Sequence, residues 1–351
     1  MKPLVSILIP AYNAERWIGY TLESAVNQTW PRKEIIVVDD GSRDRTSEVA
    51  RGFATKDVKV VSTENHGLSG AQNNAFKLCQ GDFVQLLDAD DLLSPDKIER
   101  QVVALQETGN RRILASSPWA PFYFRANRAQ FVPNSLWQDL SPLEWLLRKM
   151  GESLHMGNFT WLVSREIAEA AGPWDESLQY DQDGEYFCRV LLASQGTRFV
   201  PEGRAYYRAS GSNSVSYIGN SDKKKESLLR SIKLHIQYLQ SLENSDRVRQ
   251  ACLKYLQSWS IAFYPEAPDV FAELQSMASQ LGGQLEPPRL TWKVAWMEPF
   301  VGRRAVQRTL VAFQEKRASL IRTWDKAMYE WENRNALSGR SAGARSAMHQ
   351  D

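Results

Sequence analysis

A group of three aspartates is the part of the sequence best suited to chemistry. Phe83 to Leu87 has the composition of a short buried strand, and Asp88, Asp90 and Asp91 come directly after it. Because side chains alternate along a strand, Asp88 and Asp90 are expected on the same side of the backbone. Two carboxylates held that close repel one another unless a cation lies between them, and Mg²⁺ or Mn²⁺ suits such oxygen ligands. The alternative interpretation is a polar turn in which Asp91 caps the next helix.

The elements before these aspartates alternate between strand and helix. Continuous apolar runs predict strands at 5–9, 34–38, 58–61 and 83–87, with helical spacing between them. This pattern predicts an α/β fold with a doubly wound, mostly parallel sheet. Polar clusters end three of the strands and are expected to meet in one crevice. The glycine pattern of NAD-binding folds does not follow the first strand, which argues against NAD.

The composition is that of an ordinary globular protein. The chain has 351 residues, of which 43% are hydrophobic and 24% charged, and its formal net charge is +2. A balance so close to neutral gives no reason to expect a nucleic-acid partner. No apolar run approaches the roughly 20 residues that cross a bilayer, and no secretory signal is visible. Three scattered cysteines indicate no disulfide framework, so a cytoplasmic location is expected.

Four motifs, in this order and at these intervals, resemble family 2 glycosyltransferases with the GT-A fold. The motifs are Val5-Ser6-Ile7-Leu8-Ile9-Pro10-Ala11-Tyr12-Asn13, Glu34-Ile35-Ile36-Val37-Val38-Asp39-Asp40-Gly41-Ser42, Asn65-His66-Gly67-Leu68-Ser69-Gly70-Ala71 and Leu86-Leu87-Asp88-Ala89-Asp90-Asp91. The resemblance implies a catalytic domain over 1–219, with a donor half at 1–109 and an acceptor half at 110–219. It also implies an inverting reaction with a nucleotide-sugar donor, which we expect to be UDP-linked. One departure is Gln72, since many relatives have an arginine at that position.

The resemblance assigns a set of residues to the donor and the metal. Asp39 would accept a hydrogen bond from the nucleotide base, and the ring of Tyr12 would offer a stacking face, although it could equally be a packing aromatic. Asp90 would be the main metal ligand, with Asp88 and His155 near the ion. Arg208 would pair with phosphate, in a loop that continues to Ser212-Asn213-Ser214. The donor-binding set is Pro10, Ala11, Tyr12, Asn13, Asp39, Asp40, Ser42, Asn65, Gly67, Asn73, Asp88, Ala89 and Arg208.

An inverting transfer also needs a base that takes the proton from the acceptor hydroxyl. Aligning Arg189 with the arginine that follows the family's Glu-Asp pair places the aspartate of that pair at Asp183 and its glutamate at Gln182. The resemblance therefore implies Asp183 as the base, with Asp181 as the second candidate. The alternative is that both aspartates cap a helix over 185–192.

The acceptor half offers Trp174 and Asp175, in a turn that matches the family. The aromatic face of Trp174 suits the apolar side of a sugar ring, but the indole could instead fill the core beneath the loop. The Gln-x-x-Arg-Trp signature of processive synthases is missing, which favours transfer of a single sugar to a glycan or lipid-linked acceptor. A nucleotidyltransferase and a catalytically silent sugar-binding module remain as alternatives.

The C-terminal third is predicted to be helical from 220 to 337, with an unstructured tail at 338–351. Within it, the segment 290–324 combines tryptophans with seven basic residues and two acidic ones. Basic amphipathic helices of this kind can lie on anionic membranes. The segment is therefore expected either to contact the inner face of the plasma membrane peripherally or to pack on the catalytic domain.

Overall fold

The computed structural model describes residues 2–210, 221–264, 267–287, 294 and 296–347. They divide into two compact units. The first unit contains Met1–Ala120, Phe131–Tyr207 and Val215–Arg289, and the second contains Pro121–Gln130, Arg208–Ser214 and Leu290–Asp351. Ser212-Asn213-Ser214 of the predicted phosphate loop and Trp292 of the segment 290–324 lie outside the described residues.

The first unit is built on a sheet with strand order β3-β2-β1-β4-β8, in which β8 is antiparallel to β4 and the others are parallel. The predicted α/β fold with a mostly parallel sheet is therefore confirmed. Smaller sheets have the orders β5-β10-β7 and β6-β9. The strands are β1 (Val5–Ala11), β2 (Lys33–Asp40), β3 (Val58–Thr63), β4 (Phe83–Leu86), β5 (Leu92–Leu93), β6 (Ile113–Ser116), β7 (Trp119–Phe122), β8 (Val163–Ser164), β9 (Gly196–Phe199) and β10 (Ala205–Arg208).

Helices cover both faces of this sheet, because apolar side chains project from both faces of each central strand. Leu8 and Ile36 point into one core cluster, and Ile7, Ile9 and Val37 into the other. The helices are α1 (Ile18–Val26), α2 (Thr46–Arg51), α3 (Gly67–Leu78), α4 (Lys97–Thr108), α5 (Pro142–Glu152), α6 (Arg165–Ala171), α7 (Gln182–Ala193), α8 (Asp222–Leu242), α9 (Asp246–Ser260), α10 (Pro268–Gln280) and α11 (Glu298–Ala347), with single 3₁₀ turns at Ala126–Arg128 and Asn158–Thr160.

The division into units differs from the domain boundary expected at residue 219. Leu228 and Ile232 of α8 and Leu256 of α9 are fully buried, in the same core cluster as Trp145 and Tyr186. The apolar faces of α8, α9 and α10 therefore complete the core of the first unit. Only the chain beyond residue 289, with two short segments from earlier in the sequence, forms the second unit.

Several predicted elements are placed differently by the structure. The run Phe199-Val200-Pro201-Glu202, whose composition predicts a last strand, is paired only at Phe199, since β9 pairs with β6 over Gly196–Phe199. The run 159–163, whose composition predicts a strand, begins in the 3₁₀ turn at Asn158–Thr160. Within it, Leu162 forms a single antiparallel bridge to Ala115, and Val163 pairs with β4. Helix α11 continues to Ala347, into the tail expected to be unstructured. No helix among the described residues is long and apolar enough to cross a membrane.

Candidate functional site

The carboxyl ends of β1, β2 and β4 form one edge of the central sheet. The parallel register places Ala11 beside Asp39 and Leu8 beside Leu86. Because parallel strands end at the same edge, the polar residues that follow them are brought together there. The predicted site residues on this edge are Pro10, Ala11, Tyr12, Asn13, Asp39, Asp40, Asp88, Ala89 and Asp90.

Side-chain hydrogen bonds hold the loop after β1 against the loop after β2. The amide of Asn13 donates to Oγ of Ser42 at 3.0 Å, and Oδ1 of Asn13 accepts from the amide of Arg43 at 2.8 Å. Asn13 has φ of 48°, in the left-handed region that asparagine tolerates better than most residues. Oδ1 of the buried Asp39 accepts from the amide of Ser42 at 3.2 Å. Beside this pair of loops the ring of Tyr12 is 49% exposed, and its stacking on a nucleotide base stays a prediction.

Asp40 holds the loop that leads into α3. Its carboxylate accepts from the amides of His66 at 2.8 Å and Gly67 at 2.9 Å, and the side chain of Asn65 donates to its carbonyl oxygen at 2.9 Å. A carboxylate at the amino-terminal end of a helix satisfies unpaired amides and complements the helix dipole. Asp40, Asn65 and Gly67 thus have a structural function, and their contact with the donor stays a prediction.

Asp88 lies between the sheet and the 3₁₀ turn at Asn158–Thr160. Nδ2 of Asn158 donates to Oδ1 of Asp88 at 3.0 Å. Burial raises the pKa of Asp88 to about 6, and the negative charge of Asp90 contributes, although the Asn158 hydrogen bond lowers it. Asn158 was missed in the sequence, where its one signal is an amide inside an otherwise apolar run.

A buried polar network keeps this 3₁₀ turn in place. Nζ of the fully buried Lys97 donates to Oε1 of Gln85 and of Gln101, each at 2.6 Å. The two amides in turn donate to the carbonyl oxygens of Phe159 and Thr160, each at 2.9 Å. Burial lowers the pKa of Lys97 well below its ordinary value. The position of Asn158, and through it that of Asp88, therefore depends on residues deep beneath the sheet edge.

Asp183 lies in the first turn of α7, close to the sheet edge. Its pKa is raised well above the ordinary value, first by burial and then by the negative charges of Asp88 and Asp181. Its Oδ1 is buried and has no hydrogen-bond partner among the described groups. Such an oxygen is costly to leave unsatisfied, and carboxyl groups of this kind are concentrated at functional sites.

Asp181 is held differently, although it is only two residues away. It precedes α7 with φ of 57°, and its Oδ2 accepts from Oγ of Ser231 in α8 at 2.6 Å. Oγ of Ser231 faces Nε2 of His235 at 3.4 Å, and Nδ1 of His235 lies 2.6 Å from the hydroxyl of Tyr255 in α9. Burial lowers the pKa of His235 to about 3, so its ring is neutral. A methyl group on Gly184 would overlap the Asp181 carboxylate. Ser231, His235 and Tyr255 lie beyond the region of the sequence motifs and were not predicted.

The predicted metal ligands are only partly brought together. The repulsion between Asp88 and Asp90 fits a hard divalent ion, which would take its remaining ligands from diphosphate and water. His155 is solvent-exposed on one side, and desolvation followed by the charge of Lys149 lowers its pKa. Among the described residues, no three His, Cys, Asp or Glu side chains are grouped as a metal site, so His155 does not complete a set of three with the two aspartates.

The predicted acceptor residues belong to a buried turn. Trp174 is only 5% exposed, and its indole stacks on Tyr186 at a centroid distance of 4.1 Å. Asn73, a predicted donor residue, donates to the carbonyl oxygen of Trp174 at 3.1 Å and accepts from its amide at 2.8 Å. Asp175 accepts from the guanidinium of Arg230 at 2.9 Å. Trp174 thus occupies a core position, which agrees with the alternative drawn from the sequence, and contact of Trp174 and Asp175 with an acceptor stays a prediction.

Two further residues were named in the sequence analysis, one in each unit. Gln72, the departure from the family pattern, is fully buried, and neither polar atom of its amide has a partner among the described groups. Arg208 is in the second unit, where it donates to the carbonyl oxygen of Tyr123 at 2.8 Å and lies over the ring of Phe122. Its contact with donor phosphate stays a prediction.

Comparison with known proteins identifies relatives of the first unit. The family model described as Glycosyl transferase family 2 matches residues 6–169. The uncharacterized glycosyltransferase RT0329 of Rickettsia typhi is 32% identical over 193 residues, which are 55% of this chain and 60% of that protein. The chain therefore spans less than two thirds of this relative. The chondroitin synthase of Escherichia coli is 42% identical over 99 residues, or 28% of this chain and 14% of that one.

A solved structure shares the fold at low identity. The crystal structure of residues 1–349 of TarS from S. aureus, in complex with UDP-GlcNAc, gives a TM-score of 0.63. Sequence identity is 18%, and the similarity covers 80% of this chain and 81% of that one. The likeness extends beyond the sequence motifs, as expected if the helices after residue 220 belong to the same folded unit as the sheet.

Proposed function

Through its domain at residues 6–169 the chain belongs to glycosyltransferase family 2, and on this premise we propose that it is a metal-dependent, inverting glycosyltransferase. It moves a single sugar from a nucleoside-diphosphate sugar to a hydroxyl group of a glycan or lipid-linked acceptor. A UDP-linked donor agrees with the UDP-GlcNAc bound in the TarS neighbour. Assembly of a surface polysaccharide agrees with the relationship to a chondroitin synthase.

The observation that carries the proposal is the buried oxygen of Asp183. It lies without a partner among the described groups, near enough to Asp88 for the charge of Asp88 to raise its pKa. A carboxylate whose oxygen has no hydrogen-bond partner among the described groups, close to the sheet edge proposed to bind the donor, suits abstraction of a proton from an acceptor hydroxyl. Asp181, the second candidate, already accepts a hydrogen bond from Ser231. The surroundings of the two carboxylates therefore favour Asp183.

In the proposed reaction the acceptor oxygen forms a bond to the anomeric carbon as the bond from that carbon to the diphosphate breaks. The proton of the acceptor hydroxyl passes to Asp183, and the nucleoside diphosphate leaves with the electron pair of the broken bond. Tyr12 and Asp39 hold the base of the donor. Asp90 and Asp88 would hold Mg²⁺ or Mn²⁺, and the ion would supply neutralisation of charge on the departing diphosphate.

The proposal includes peripheral contact of the segment 290–324 with a membrane that carries a lipid-linked acceptor. A nucleotidyltransferase, the other enzymatic interpretation, gains no support from the family match. A catalytically silent binding module would bind the donor but would not transfer its sugar.

Release of nucleoside diphosphate is the test. The protein is incubated with a panel of nucleotide sugars, with and without Mn²⁺, and free diphosphate is measured with and without glycan acceptors. We expect Mn²⁺-dependent release from a UDP-sugar that increases with the correct acceptor. Thermal shifts without any release across the panel would support the silent module, and release of pyrophosphate from a nucleoside triphosphate would support the nucleotidyltransferase.

A further inference from the structure

Four of the large apolar side chains that the last helix exposes to solvent lie in one row. Phe313 is 68% exposed, Leu320 is 65% exposed, and Trp324 and Trp331 are each 59% exposed. Their successive spacings of seven, four and seven residues place all four within about 20° of one line along an α-helix. The backbone of α11 is interrupted only at Gly302, before these residues. They form a continuous row about 27 Å long, which we call the apolar stripe.

The face of α11 away from the apolar stripe is held within the second unit. The guanidinium of the buried Arg125 donates to Asp325 at 2.7 Å and to Glu332 at 2.9 Å. The ring of Tyr329 packs against Phe124 at a centroid distance of 6.1 Å. At about 100° per residue, these three residues of α11 lie about 100–160° from the stripe. The guanidinium of Arg125 also lies 5.1 Å from the ring centre of Trp324, so one stripe residue also touches the second unit. The contacts fix the rotation of the helix, and all four stripe side chains remain more than half exposed.

Positive charges flank the apolar stripe, whereas negative charges lie away from it. Lys316, Arg317 and Arg334 are within about 60° of the stripe by helical geometry, and every acidic residue from 313 to 334 is about 100° or more away. No described carboxylate forms an ion pair with Lys316 or Arg317. An apolar row with tryptophans at its centre and end, bordered by cations, is complementary to the interface of an anionic bilayer.

We infer that the apolar stripe docks α11 in the plane of an anionic lipid bilayer. The inference deepens the proposed function, on which it rests, by naming the surface at which a lipid-linked acceptor is met. It also places the contact on one face that extends to Trp331, beyond the segment 290–324 marked in the sequence. A second copy of the helix fits less well, because a heptad seam through Phe313 and Leu320 would bury Lys316 or Arg317.

Cosedimentation of the full chain with vesicles tests the inference. Vesicles of phosphatidylcholine with phosphatidylglycerol are compared with vesicles of phosphatidylcholine alone. We expect binding to the anionic vesicles, weakened by salt, and a loss of about tenfold or more in the double variant Leu320→Ser, Trp331→Ser, because both side chains leave the bilayer. Ile261→Ser is the matched control, since Ile261 is 60% exposed in the first unit and should not affect vesicle binding.

Equal vesicle binding by the parent and the double variant, or no binding by the parent, would overturn the inference. A change from dimer to monomer in the double variant, measured by light scattering without lipid, would overturn it in favour of self-association. The thermal shift given by UDP and Mn²⁺ is measured on the same samples. It reports on donor binding by the first unit, so failure of the proposed function is seen separately from failure of membrane docking.

Discussion

Asp181 and Asp183 are two residues apart, yet their carboxylates have different surroundings. Asp181 precedes the helix in a left-handed conformation and accepts from Ser231, whereas Asp183 keeps a buried oxygen without a partner among the described groups. The first arrangement holds a carboxylate in place, and the second leaves a carboxylate oxygen available for the role of base that we propose. Sequence alignment could nominate both residues but could not separate them, because Ser231 is 50 positions further along the chain.

Replacing Asp183 with asparagine should separate binding from chemistry. Asp183→Asn is nearly isosteric, so donor binding should persist while transfer falls by a factor of about 10²–10⁴. In the parent, the raised pKa of Asp183 means that the ionised base is lost as the pH falls through that raised value, so turnover should decline from that pH downward. Asp181→Asn is made in parallel. If Asp181→Asn abolishes transfer and Asp183→Asn does not, the two roles are reversed.

Asp88 should affect stability with a characteristic pH dependence. Its pKa is raised to about 6 in the folded protein, so its contribution to stability is complete below its ordinary pKa and is lost as the pH rises through about 6. Ionisation of this group therefore costs up to about 3 kcal/mol at pH 8. Without metal, Asp88→Asn should raise the melting temperature at pH 8 and change it little at pH 4. A lower melting temperature at pH 8 would mean that burial and the charge of Asp90 do not raise the pKa of Asp88.

At the scale of elements, the sequence was informative where local pattern decides structure. β1, β2 and β4 are apolar runs that end in polar residues, and all three form the central sheet as predicted. The first part of the run 159–163 is not a strand, because the polar network at Lys97, rather than a neighbouring strand, binds the carbonyl groups of Phe159 and Thr160. Similarly, the sequence of the turn around Trp174 does not show whether its indole faces a sugar or stacks on Tyr186. Contacts between distant segments set these outcomes.

Helix α8 should influence transfer although it lies outside the matched family region. Ser231→Ala removes the hydroxyl that donates to Asp181 and should lower stability by about 1–3 kcal/mol. Because Asp181 begins the helix that carries Asp183, turnover should fall while the KM for the donor stays close to that of the parent. Ser241→Ala, an exposed position on the same helix, is the matched control. A change in donor KM with unaltered turnover would contradict this role.

At the scale of the whole molecule, the two units differ in how far their large apolar side chains are buried. Phe263 and Leu274, together with apolar residues of α8 and α9, are fully buried in the cluster that contains Trp145 and Trp174. In the second unit, by contrast, most of the large apolar residues of α11 are exposed. Burial of this kind contributes about 25 cal/mol per Å² of apolar surface, so the helices before residue 289 are needed for folding of the first unit.

Two shortened chains should therefore behave differently. A chain that ends after residue 219 exposes the surfaces that α8, α9 and α10 cover, so it should lose cooperative thermal unfolding and bind hydrophobic dyes. A chain that ends after residue 289 retains these helices, and it should unfold cooperatively and keep the thermal shift given by UDP and Mn²⁺. It loses α11 and with it the carboxylate partners of Arg125, which belong to the second unit. If the chain ending at 219 unfolds with the same cooperativity and midpoint as the chain ending at 289, the three helices are an appendage after all.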